Sequence, residues 1–326
     1  MKRVLLIHTG GTLGMTGTPL EPGAYANAIT ERLPELPKIA DIETVIPFNL
    51  DSSDVGPRHW TRLAELIADR RADFDGVVVI HGTDTMAFTA SALSFALRNL
   101  DMPVVFTGAQ RPLAELRTDA RRNLADSMEL ATRDIPEVAV CFDGRLLRGC
   151  RATKSNVRDY RAFTSPGCKP LARLGVDVEI ADHVRRPTGD FEVAPRFADD
   201  VTLWTVHPGI DPERLRRTVE GPDTPSGIVL AAYGVGTVPT QTRPLAPVVD
   251  RATDRGIPVV AVSQSAGGID LQMYENSKPL AEAGAISGDE MSLEAALTKL
   301  MHALAVVDDP DARREYLSTD LVGELA

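Results

Sequence analysis

Short apolar runs without alternation constrain this chain more than any other feature. They fall at residues 4–7, 77–80, 104–106, 138–142, 203–206, 228–232 and 258–262, and each holds at least two β-branched residues. A strand with one face in water alternates apolar and polar residues, whereas a continuous run fits a strand buried on both faces. Between most of these runs lie stretches of helical periodicity, at residues 58–71, 85–98, 118–133, 212–219, 244–255 and 292–307. That rhythm predicts an α/β fold of mainly parallel sheets flanked by helices. Helix starts agree. Asp211-Pro212 combines a capping residue with proline in the first turn, and Ser292 opens the last long helix.

The rhythm breaks at residues 185–200, "RRPTGDFEVAPRFADD", which holds two prolines and a glycine among mixed charges. The reading is a larger N-terminal domain over residues 1–185, a linker or small hairpin at 186–200, and a smaller C-terminal domain over 201–326. A chain of 326 residues is long enough for two cores of that size.

Charge narrows the partners. The formal net charge of −11 disfavours a phosphate backbone, and the densest basic runs, Arg121-Arg122 and Arg185-Arg186, are too short to make a patch. Nucleic acid is not an expected partner. Cys141, Cys150 and Cys168 make an odd count without C-x-x-C spacing, which fits a reducing cytosol. The six histidines are scattered, with no H-E-x-x-H or similar ligand pair, so a metal is not expected. No apolar run approaches eighteen residues, and the run after Lys2-Arg3 is too short for a signal-peptide core.

In open α/β sheets, ligands bind beyond the carboxyl ends of the strands. There the first domain carries Thr9-Gly10-Gly11-Thr12, Asp51-Ser52-Ser53-Asp54, His81-Gly82-Thr83-Asp84-Thr85, Thr107-Gly108-Ala109-Gln110 and Arg151-Ala152-Thr153-Lys154-Ser155. A phosphate cradle does not fit, because neither G-x-G-x-x-G nor a Gly-Lys-Ser/Thr ending follows the first strand. Amide chemistry does. A hydroxyl nucleophile needs a base or a polarising field, and a Thr-Asp dipeptide with a lysine can supply both. Each part also has a plainer reading: Gly10-Gly11 as a tight turn, Asp84 and Asp51 as helix caps, Lys154 as a solvated lysine.

The segments "TGGTLGM", "DSSDVGPRHW", "HGTDTMAFTASALSF", "VVFTGAQRPLAELRTDARRNL" and "CRATKSN" resemble the bacterial L-asparaginase family, nearest its cytoplasmic type I branch. "AAYGVGTVP", "AVSQSAGG", "LAEAGAISGDEMSLEAALTKL" and "LVGEL" continue the likeness through the second half. The resemblance implies a two-domain asparaginase-like fold and an amidohydrolase that converts L-asparagine to L-aspartate and ammonia through an acyl-enzyme. It implies no cofactor, a cytoplasmic location and a homodimer or homotetramer in which an adjacent protomer closes the site.

Residue by residue, Thr12 matches the family's primary nucleophile. Thr83, Asp84 and Lys154 match the second catalytic set, expected to hold and pass a proton as one unit. Asp51, Ser52 and Ser53 match the loop for the substrate's α-carboxylate, and Asp84, beside Thr83, faces the α-ammonium. Backbone N–H groups in the Thr83 and Ala109 loops match candidates for stabilising the oxyanion. Tyr25 stands where the family has a lid tyrosine, although an alternative alignment puts Thr18 there. Some cytoplasmic members have a second asparagine site with an arginine before Tyr-Gly-Val-Gly. Here Ala231-Ala232 precede Tyr233 and Ser265 replaces a cysteine, so a hyperbolic rate curve is expected.

Two other readings compete. One is the amidase subunit of a tRNA-dependent amidotransferase, which usually carries an extra N-terminal domain, whereas this chain begins on its first strand. The other is a non-catalytic amino-acid-binding module, against which the full set of catalytic-type residues argues.

Overall fold

The uninterrupted apolar runs become strands of two sheets in a computed structural model that describes residues 1–16, 21–22 and 29–325. The chain forms two compact units, Met1–Pro195 and Arg196–Ala326. In the first, β1 (Arg3–His8), β2 (Asp41–Val45), β3 (Gly76–Ile80), β4 (Val104–Thr107) and β5 (Val138–Phe142) lie parallel in the order β2-β1-β3-β4-β5. Every residue of β3, β4 and β5 is buried, as are Val4 to His8 of β1, which accounts for the lack of alternation.

The helices α1 (Pro57–Arg70), α2 (Met86–Ala96) and α3 (Ala120–Leu130) connect these strands. Val4, Leu6, Val78, Ile80 and Val105 share one core cluster with Leu124 and Met128 of α3. On α1, Trp60, Leu63, Ala64 and Ile67 are buried at helical spacing, and α2 is buried almost all round.

After β5 the chain turns on Asp143-Gly144, both at positive φ (50° and 68°), the geometry of a two-residue hairpin whose twist matches its strands. The sheet then continues antiparallel through β6 (Arg145–Arg148), β7 (Ala172–Leu174) and β8 (Val178–Ile180). β7 and β8 are short and partly exposed, so no apolar run marks them.

The second unit has four parallel strands in sequential order, β9 (Val201–Thr205), β10 (Gly227–Ala232), β11 (Val259–Ser263) and β12 (Ile286–Ser287). Its longer helices are α4 (Pro212–Glu220), α5 (Ala246–Asp254), α6 (Leu293–Val306) and α7 (Pro310–Ser318). Asp211, Ser292 and Asp309 cap α4, α6 and α7 by accepting a backbone N–H in the first turn. One face of β10, with Ile228, Leu230 and Ala232, packs with Val248 and Val249. The other, with Val229 and Ala231, packs with Ala295, Ala296 and Leu300.

A fully buried ion pair ties down the end of this unit. Lys299 Nζ donates to Glu324 Oε1 at 2.6 Å and to the carbonyls of Leu317 (3.1 Å) and Thr319 (2.7 Å). Glu324 also accepts from the N–H groups of Leu321 and Val322.

Residues 186–200 divide between the units. Glu192–Val193 pairs with Leu97–Arg98, and Thr61 Oγ1 donates to the Pro195 carbonyl, so the chain stays with the first unit as far as Pro195.

Candidate active site

The strand order reverses beside β1: the chain leaves β1 for β2 on one side, then returns to β3 on the other. Such a switch opens a crevice at the carboxyl ends of the two central strands. The turn after β1 is gripped from both sides. Thr9 donates its N–H (3.0 Å) and its Oγ1 (2.9 Å) to the carbonyl of Ile80, the last residue of β3. Leu50 N–H donates to Thr9 O (2.9 Å), and Gly11 N–H donates to Leu50 O (3.2 Å). Gly11 has φ +86°, and a Cβ there would lie 2.4 Å from the Gly82 nitrogen. Only glycine satisfies both the backbone region and the contact. The turn thus lies backbone to backbone on the turn after β3, and Thr12 and Thr83 each follow immediately on one of these glycines. Thr12 opens the short 3-10 turn Thr12–Gly14 and is half-buried.

The β2 loop presses on the same place. A Cβ on Gly82 would meet Ser52 Oγ at 2.6 Å. Ser52 Oγ accepts from Asp84 N–H (3.3 Å), and its carbonyl accepts from Thr85 Oγ1 (2.6 Å). Asp51 turns inward to its own loop, accepting from Ser53 N–H (2.8 Å) and Ser53 Oγ (2.7 Å). The Ser53 hydroxyl, then its backbone N–H, hold the Asp51 carboxyl below its usual range.

Lys154 arrives from further along the chain. Beyond β6, the turn Gly149–Arg151 passes so close to α2 that a Cβ on Gly149 would lie 2.9 Å from Ser94 Oγ. Thr153–Lys154 then pairs with Phe163–Thr164. Lys154 Nζ donates to Thr83 Oγ1 at 2.7 Å and to Asp84 Oδ1 at 2.6 Å. Its side chain is 15% exposed, against 66% for Asp84. Asp84 therefore serves as partner to Lys154. Thr85 takes the α2 N-cap position, with no side-chain cap.

Two supporting groups escaped the sequence reading. Gln110 accepts from Thr83 Oγ1 through Oε1 (3.4 Å) and donates from Nε2 to the Asp159 carbonyl (3.1 Å). Asp119 holds that loop by accepting from the N–H groups of Gln110 and Arg111 and from Asn123 Nδ2. In sequence Asp119 stands where a cap for α3 would stand. It makes no cap hydrogen bond; besides the Asn123 side chain, its partners are eight and nine residues upstream.

Two buried histidines close the strand ends. His8 Nδ1 accepts from Gly10 N–H (3.1 Å), and His81 lies in the next strand's turn. Burial lowers each imidazole pKa from 6.5 to about 4. A histidine that is neutral in the folded state and protonated in the unfolded one costs stability as pH falls. Stability is therefore expected to be level in these groups above pH 6.5 and to decline from there to about pH 4. The loss is up to about 3 kcal/mol per histidine. Urea midpoints between pH 7.5 and pH 4.5 check this, and His8→Asn is expected to remove about half the slope.

Of the residues singled out from sequence, Thr83, Asp84 and Lys154 are in direct contact, and Ser52 joins them through Asp84. Asp51 and Ser53 pair with each other within the neighbouring loop, and Thr12 sits on the turn packed against Gly82. Tyr25 and the alternative Thr18 lie outside the described residues.

Comparison with known proteins agrees over both units. Residues 3–186 match the family description "Asparaginase, N-terminal", and residues 200–317 match "Glutaminase/Asparaginase C-terminal domain". L-asparaginase 1 of Escherichia coli K12 is 37% identical, over 99% of this chain and 98% of that one. The solved thermostable L-asparaginase from Thermococcus kodakarensis superposes with a TM-score of 0.92 at 34% identity, covering 99% of each chain. A glutamyl-tRNA(Gln) amidotransferase component of Pyrococcus abyssi is 33% identical over 100% of this chain and is matched over 77% of its own length.

Proposed function

The chain belongs to the asparaginase family, and from that premise we propose that it hydrolyses the side-chain amide of L-asparagine to L-aspartate and ammonia. The observation that carries the reading is the Lys154–Thr83–Asp84 cluster beside the turn that bears Thr12. The same premise carries with it a homodimer or homotetramer acting in the cytoplasm. Among the described residues no helix is long and apolar enough to cross a membrane.

The substrate's α-ammonium rests against the exposed oxygens of Asp84, and its α-carboxylate against the β2 loop. Within that loop the hydroxyls are unequal. Ser53 already donates to Asp51, whereas Ser52 Oγ accepts from Asp84 N–H and keeps its own proton to give. Ser52 is therefore the carboxylate donor, and Asp51 orients Ser53. Ser52→Ala is expected to raise KM roughly tenfold or more, as for one hydrogen bond to a charge, with kcat changed far less. Ser53→Ala is expected to have the smaller effect on KM. Steady-state kinetics of the two variants decide the order.

Thr12 Oγ attacks the side-chain amide carbon, and the carbonyl oxygen takes the developing charge. The C–N bond then breaks, and the nitrogen leaves as ammonia with the proton that the Thr12 hydroxyl gave up. Water cleaves the resulting ester, releasing aspartate and restoring Thr12. Thr83, Asp84 and Lys154 hold and pass protons as one unit. The Thr83 N–H, which has no acceptor among the described residues, supports the oxyanion, a contribution of about 3 kcal/mol per donor.

Ammonia release from L-asparagine, L-glutamine and D-asparagine by the purified protein tests the reading. Release from L-asparagine along a hyperbolic rate curve is expected, and its absence overturns the assignment.

A further inference from the structure

A buried polar chain runs behind the site, from α1 through α2 to the turn after β3. Trp60 Nε1 donates to Thr89 Oγ1 (3.1 Å), Thr89 Oγ1 lies 3.0 Å from His81 Nε2, and His81 Nδ1 lies 2.8 Å from the Gly82 carbonyl oxygen. Trp60, Thr89 and His81 are all buried. Their chemistry permits one direction of donation. The Gly82 carbonyl can only accept, so His81 Nδ1 carries the proton. In a neutral ring Nε2 then accepts, and the Thr89 hydroxyl must donate to it. The Thr89 oxygen is left to receive the Trp60 N–H, which can only donate.

What this chain holds is the plane of one peptide. With its carbonyl directed at His81, the planar trans Gly82–Thr83 unit points the Thr83 N–H the opposite way, off the buried ring. On the glycine side of this plane no Cβ restrains the rotation, whereas on the other side the β-branched Thr83 disfavours the positive φ that a full turn-over would need. Close packing fixes where the backbone runs: a Cβ on Gly11 would lie 2.4 Å from Gly82 N, and one on Gly108 would lie 2.4 Å from the His81 carbonyl. The hydrogen bond from His81 adds to these restraints and fixes the angle at which the Gly82 carbonyl, and with it the Thr83 N–H, is held.

We propose that Thr89, backed by Trp60, is a positioning residue that acts through His81. It holds the imidazole in the Nδ1–H tautomer, and so keeps the Thr83 N–H presented to the oxyanion of the tetrahedral intermediate. Neither Thr89 nor Trp60 touches the substrate. The inference rests on the amide-hydrolysis reading for what the Thr83 N–H stabilises.

Thr89→Val tests it, because valine keeps the volume and removes the hydroxyl. His81 can then carry its proton on Nε2, where Nδ1 no longer donates to Gly82. The expected result is a kcat reduced roughly 10- to 100-fold, as for one misplaced oxyanion donor. KM stays within about threefold, since the amino-acid contacts are elsewhere. Thr89→Ser restores most of kcat. Nitrogen-15 NMR of labelled histidines, with His81 assigned by its loss in His81→Gln, is expected to find Nδ1–H in the wild type and a shift toward Nε2–H in Thr89→Val. A folded Thr89→Val with wild-type kcat overturns the proposal, as does a wild-type His81 protonated on Nε2; the latter measurement needs no variant to fold. The two readings fail separately. A wild type that releases no ammonia sinks the reaction, whereas equal activity in wild type and Thr89→Val sinks the relay alone.

Discussion

Replacing Lys154 with methionine is expected to abolish turnover while asparagine still binds. Methionine keeps the length and the apolar stem but offers no N–H. Thr83 Oγ1 and Asp84 Oδ1 lose the donor that now joins them at 2.7 and 2.6 Å. Proton transfer through the unit then stops, and kcat is expected to fall at least about a thousandfold. Binding is expected to be spared because Asp84, the proposed partner of the α-ammonium, remains. Calorimetry is expected to give a Kd for asparagine within about tenfold of wild type, with the reacting amide rather than the α-carbon groups losing its partner. Folding is expected to survive too, since Asp84 is 66% exposed and ion pairs of that kind contribute about 0–1 kcal/mol. Near-normal turnover would remove Lys154 from the mechanism.

The largest effect on stability is expected at the opposite kind of ion pair. Lys299 and Glu324 are both fully buried, and solvent cannot replace either partner. Glu324→Ala leaves Lys299 with two carbonyls and no carboxylate, and removes the carboxylate that accepts from the Leu321 and Val322 N–H groups. Breaking a buried pair in this way costs about 3–5 kcal/mol. Urea unfolding followed by circular dichroism is expected to place the variant's transition at a clearly lower midpoint. The double change Lys299→Met with Glu324→Leu removes both charges and is expected to recover much of the loss. A single variant as stable as wild type would mean that the chain end contributes little to the second unit's core.

These two lysines also mark how far sequence could reach. Lys154 was legible as a candidate because it stands in a segment resembling a known signature, yet its alternative as a solvated side chain was equally consistent with composition. Its 15% exposure and its two short hydrogen bonds separate the readings. Lys299 gave no signal. It lies within an amphipathic helical pattern, where a lysine is ordinarily solvated. Its partner is twenty-five residues later in a segment without apolar periodicity, so only folding brings the charges together.

Thr89 and His81 repeat the lesson on a smaller scale. A threonine in the first turns of a helix reads as helix surface or core. Nothing in its spacing announces that its hydroxyl completes a histidine's hydrogen bonds. Asp119 was equally silent, because an aspartate ahead of a helix reads as a cap whether or not it makes one.

What the sequence determined by itself was therefore local: which stretches are strands, which are helices, and which loops at strand ends carry hydroxyls and carboxylates. Burial on both faces held for the central strands but not for β9, an edge strand whose Leu203 is exposed. Those properties follow from side-chain period and from backbone preference within a few residues, and both are written along the chain. What only the tertiary structure decided was convergence. The reversal of strand order beside β1, the packing of Gly11 on Gly82, the return of Lys154 past α2 and the single direction of donation from Trp60 to Gly82 depend on residues far apart in the chain. Their free energy comes from contacts that exist only once the sheet has closed its order.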